Sequence, residues 1–68
     1  MIDAAECMEM SRQAKAESYD ANAARVEMRK AGKRSKADRY ERARDALADA
    51  AEAFERAAEE LRQVGLEP

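Results

Sequence analysis

Apolar positions recur with a strict spacing along the second half of the chain. Tyr40, Ala43, Leu47, Ala50, Phe54, Ala57, Leu61 and Val64 are alternately three and four residues apart. That repeat puts every member on one helical face, as in a coiled coil. Large residues at Tyr40, Leu47, Phe54 and Leu61 alternate with small ones at Ala43, Ala50 and Ala57. Small positions let a neighbouring helix approach closely while the large ones fill the gaps. The seam therefore predicts antiparallel close packing rather than a parallel leucine zipper.

The first half reads differently. At about 100° per residue, Ala5, Met8, Ala16, Tyr19, Ala23 and Val26 fall on one face. Cys7, Met10, Ala14, Ala21 and Met28 fall nearly opposite. A surface helix of a monomer needs one apolar stripe. Two stripes predict two partners, one of them the second helix of the same chain.

Gly32 is the only strong breaker between these halves. Ser35 is a candidate N-cap with Asp38 in the position of a capping box, and Gly65 stands where a C′ residue belongs, with Pro68 beyond it. The expected organisation is one domain over residues 1–68: helix 3–31, turn 32–35, helix 36–64. Each helix would be about 28 residues and about 42 Å long. The short turn makes this an all-α, two-helix antiparallel hairpin of coiled-coil type.

Composition adds a constraint. The 68 residues include 17 alanines, but Leu, Ile, Val and Phe total only 7. With one Pro, two Gly and a net charge of −2, this is the composition of long helices rather than of a disordered chain, because alanine loses no side-chain entropy in a helix. Two such helices bury too little to offset about 1–2 kcal/mol of backbone entropy per residue. A homodimer, two hairpins forming a four-helix bundle, is expected.

Charge is segregated along the hairpin. Residues 1–28 carry 6 acids and 3 bases, residues 29–44 carry 8 bases and 2 acids, and residues 45–68 carry 7 acids and 2 bases. The turn is a basic tip and the open end is acidic. The first helix is charged in favour of its dipole and the second against it. Asp38–Arg42 and Glu52–Arg56 pairs are expected to recover a little of that cost. The segregation serves self-association, an acidic partner at the tip, or both.

Catalytic chemistry finds little to work with. Cys7 is the one strong nucleophile, and no histidine exists to activate it. A single cysteine allows no internal disulfide and no cysteine-built zinc site. Cys7, Met8 and Met10 could hold a soft metal, but their use as soft fillers of a helix seam outweighs that. No cofactor, metal or enzymatic activity is expected. The chain lacks an apolar run of about 20 residues that could span a bilayer, and its acidic start (Asp3, Glu6, Glu9) does not fit a targeting signal. A lone thiol without a secretion signal is read as a reduced, cytoplasmic one.

A basic segment suggests nucleic acid. Against it, Gly32 interrupts the segment and Arg39, Arg42 and Arg44 point in different directions around the helix. The acidic end would also be repelled by phosphate. The stronger expectation is a protein-interaction module. Tyr19 and Tyr40 suit an interface, where tyrosine contributes area at little entropic cost. Tyr40 begins the seam among arginines. The expected contacts with another protein, one with an acidic surface, are Arg34, Arg39, Tyr40, Arg42, Arg44 and Leu47. Contact with nucleic acid through the same basic residues is the alternative.

In size, two-helix layout and lack of catalytic residues, the chain resembles the small all-helical hairpin proteins of phages and other mobile elements. Those commonly dimerise and block a host regulator or motor protein. The resemblance implies an inhibitor or anti-activator.

Overall fold

The computed structural model describes residues 2–66 and consists of two α-helices packed against each other, α1 (Ala4–Lys30) and α2 (Arg34–Leu66). Asp3 opens α1: its carboxylate accepts the Glu6 amide at 2.8 Å, so the first turn has a true N-cap. Glu6 in the first turn and Arg29 and Lys30 in the last all complement the helix dipole.

The turn is tighter than the sequence suggests. The Gly32 amide donates to Arg29 O at 3.1 Å and the Lys33 amide to Met28 O at 2.8 Å, with Gly32 at φ +75°. These are the two bonds of a Schellman motif, which needs a left-handed residue at its C′ position. Lys33 O already accepts from the Ala37 amide at 3.0 Å. Helix α2 is therefore under way at Arg34, and Ser35 lies inside its first turn instead of capping it. Gly65 also departs from expectation. It is helical without a positive φ, and α2 continues through it to Leu66. Pro68 lies outside the described residues.

The line of contact on α1 is the stripe containing Cys7, Ala14 and Ala21, all buried, with Ser11 buried between them. Ser18 and Met28 continue it half-buried. On α2 the buried line is Ala37, Ala51 and Ala58, with half-buried Arg44 completing a seven-residue spacing. This is not the seam expected from the large residues. Ala43 and Ala57 are exposed, Val64 is 65% exposed and Tyr40 39%. Leu47, Ala50, Phe54 and Leu61 are half-buried along the flank. The reason is steric. The α1 stripe is built of Cys, Ser and Ala, so the closest approach is made where α2 also presents alanine.

The result is a rod of 58 × 15 × 13 Å. Its radius of gyration is 15.7 Å, against about 11 Å for a compact globule of this length. No helix is long and apolar enough to cross a membrane among the described residues.

Candidate functional site

Two polar clamps fix the register of the alanine-lined contact, and they decide which tip residues remain free. In the first, the buried Ser11 hydroxyl donates to Glu55 Oε1 at 3.1 Å, and Lys15 Nζ pairs with the same oxygen. The hydrogen bond from Lys15, with a smaller one from Ser11, holds the Glu55 carboxyl below its ordinary range. Glu55 in turn raises Lys15 above its own.

The second clamp lies nearer the tip. The Ser18 hydroxyl donates to Arg44 O at 3.0 Å. Arg44 Nη1 and Arg25 Nε both donate to Asn22 Oδ1, at 3.1 and 3.2 Å. Arg44 also pairs with Asp45 at 2.9 Å and Glu41 at 3.6 Å. An alanine interface alone is nearly indifferent to sliding by a heptad. These pairs are what a slipped register would break, a use well attested for polar groups in helix seams.

The six residues expected to form the contact surface separate on this basis. Arg44 is committed within the hairpin, its side chain only 29% exposed. Leu47 is half-buried on the flank of α2. Arg34, Arg39 and Arg42 are exposed, and no acidic side chain lies within ion-pair distance of them among the described residues. Lys33, Lys36 and Arg29 share that condition. The expected Asp38–Arg42 and Glu52–Arg56 pairs do not form. Four of the intrahelical pairs observed are three apart, Glu9–Arg12, Glu27–Lys30, Glu41–Arg44 and Glu59–Arg62, and Arg44–Asp45 joins neighbours. Tyr40 lies in a shallow, mostly apolar groove with Lys36, Arg39 and Ala43. On the other side of the tip, Arg29 and Arg34 border a second groove with Ala37 and Asp38.

Ser11, Lys15, Ser18, Asn22 and Glu55 escape both apolar periodicity and charge blocks, because neither pairs polar residues across the two helices. The signal was present: Ser11 and Ser18 fill the heptad gaps between Cys7, Ala14 and Ala21.

The tip thus carries several cations with no ion-pair partner, two of them, Lys36 and Arg39, beside the Tyr40 ring, at the end of a rod whose other end is acidic. Such an arrangement can bind an anionic surface. Among the described residues, no three His, Cys, Asp or Glu side chains are grouped to hold a metal ion, and Cys7 is buried at 2% exposure. No protein-family model, curated protein or solved structure matches this chain.

Proposed function

We propose that the hairpin is a non-enzymatic protein-interaction module, a dimeric four-helix bundle that binds another protein and inhibits it. This is the manner of the small phage-encoded anti-activators whose form the chain resembles, acting in a cytoplasm. The observation that supports it is the tip itself: Arg34, Arg39 and Arg42 stand exposed and unpaired near the turn, with Arg39 beside Tyr40. Keeping eight cations near the turn against two acids costs stability through self-repulsion and an opposed helix dipole. An acidic groove on a partner would relieve that cost at the exposed Arg34 and Arg42.

The same residues could instead contact phosphate. The cations spread around the axis of α2, which disfavours a single groove-reading face, and the acidic end would be repelled by the strand.

Pull-down from a host lysate, with wild type beside an Arg34→Glu/Arg42→Glu variant, tests the proposal. One protein recovered stoichiometrically by wild type and lost with the variant is expected. DNA or RNA mobility shifts at micromolar protein that weaken steeply with salt, without such a protein, would contradict it and favour the phosphate reading.

A further inference from the structure

The hairpin has an unfinished side. Its buried apolar residues are Cys7, Ala14, Ala21, Ala37, Ala51 and Ala58. No Leu, Ile, Val or Phe is buried among the described residues. The large side chains of α2 lie on one flank of the alanine line, and the Ser11–Lys15–Glu55 clamp lies on the other. At about 100° per residue, Tyr40, Leu47, Phe54 and Leu61 rotate away from Ala51 in one sense and Glu55 rotates in the opposite sense. Beyond them the same flank continues as Ala43, Ala50, Ala57 and Val64. On α1, Met10, 41% exposed, belongs to this side as well.

The area points the same way. The accessible surface is 5180 Å². A compact monomer of 7.6 kDa would expose about 4,300 Å². The excess of about 900 Å² is close to the roughly 800 Å² per partner of a standard protein interface.

We propose that this flank is covered by a second copy of the same chain, docked antiparallel, α2 against α2, about a two-fold axis near Ala50. The proposal rests on the dimeric reading above and adds the face and the orientation. Charge selects the direction. A parallel pair would set residues 29–44, net +6, against their own copy. An antiparallel pair about Ala50 instead sets the α2 part of that segment, residues 34–44, against residues 56–66, where Arg56 and Arg62 balance Glu59 and Glu60, so the basic tips no longer face each other. Lys36 and Arg39, at the basic end of the seam, border the apolar groove that holds Tyr40 and Ala43. In the antiparallel dimer that groove receives the far end of the other α2, where Leu61 and Val64 lie beside the exposed Glu60. Arg34 and Arg42 stay outside the contact, at both ends of the rod.

Thiol cross-linking with a short bismaleimide, in a Cys7→Ser background and without any partner protein, tests face and direction together. Ala50→Cys, near the axis, should cross-link to itself in high yield. Val64→Cys should not. Ala43→Cys and Ala57→Cys should each stay largely single alone and couple when the two proteins are mixed. Efficient self-linking at Val64→Cys and Ala57→Cys would overturn the orientation. Absence of any link at Ala50→Cys would overturn the face, whether the chain is then a monomer or pairs through α1. Neither result depends on whether wild type captures a protein from lysate. A dimer that links as expected but captures nothing leaves this inference standing and removes the inhibitor reading.

Discussion

Gly32 does more for this fold than its size suggests. Its φ of +75° is the left-handed conformation that closes α1, and a Cβ built there would meet nothing within 4 Å. The cost of replacing it is therefore conformational, not steric. Gly32→Ala should destabilise the hairpin by about 1–2 kcal/mol, measured by urea denaturation. Gly65 is the opposite case: it is helical, it also has open space, and it brings only a helix-propensity penalty. Gly65→Ala should stabilise by up to about 1 kcal/mol. Both glycines were visible in the sequence as helix stops. Only one is, because the Schellman bonds to Arg29 and Met28 require it at Gly32 and nothing comparable follows Gly65.

The Ser11–Lys15–Glu55 clamp makes a pH prediction at the same scale. Glu55 is held below its ordinary 4.5, so its contribution is present above that value and is lost as pH falls through the lowered one. Lys15 is raised above 10.5, so its share persists below that value and is lost in stronger alkali. Glu55→Gln should lower the melting temperature at neutral pH. The gap from wild type should close on acidification below about 4.5. A gap that stays constant down to pH 3 would show that Glu55 does not act through its charge.

At the scale of the helices, the two-helix hairpin was legible because Gly32 is the sole breaker between two long breaker-free runs. The contact line on α1 was legible only as one of two stripes: Cys7, Ala14, Ala21 and Met28 share one face, but nothing in the sequence chose it over the face of Ala5, Ala16, Tyr19 and Val26. The contact line on α2 was not legible. The sequence shows two heptad lines there, one of Leu and Phe and one of Ala, rotated from each other by less than a quarter turn. Hydrophobicity favours the first as core. Closeness of approach favours the second, because the facing stripe of α1 is small. Leucine substitutions separate the two lines. Ala51→Leu should overfill the closest approach and cost about 1–3 kcal/mol. Ala53→Leu, on the exposed outer face, should be nearly neutral in the same denaturation experiment.

At the scale of the molecule, the shortage of large apolar residues and the segregation of charge become one statement. A rod 58 Å long with an alanine core leaves its best hydrophobic side chains half-exposed, and its charges oppose each other end to end. The proposed second copy, laid antiparallel, would cover the first and keep the basic tips apart. The candidate contact residues were legible only in part. Arg34, Arg39 and Arg42 are free at the tip, but Arg44 looks identical to them in sequence and is drawn into the hairpin by Asn22 and Ser18. A polar partner on another helix leaves no trace in local charge pattern.

The most direct test of this account is sedimentation equilibrium with thermal unfolding over a hundredfold range of concentration. The account predicts a species of twice 7.6 kDa whose melting temperature rises with concentration, as linked folding and association require. A single 7.6 kDa chain that unfolds cooperatively at a temperature independent of concentration would contradict it.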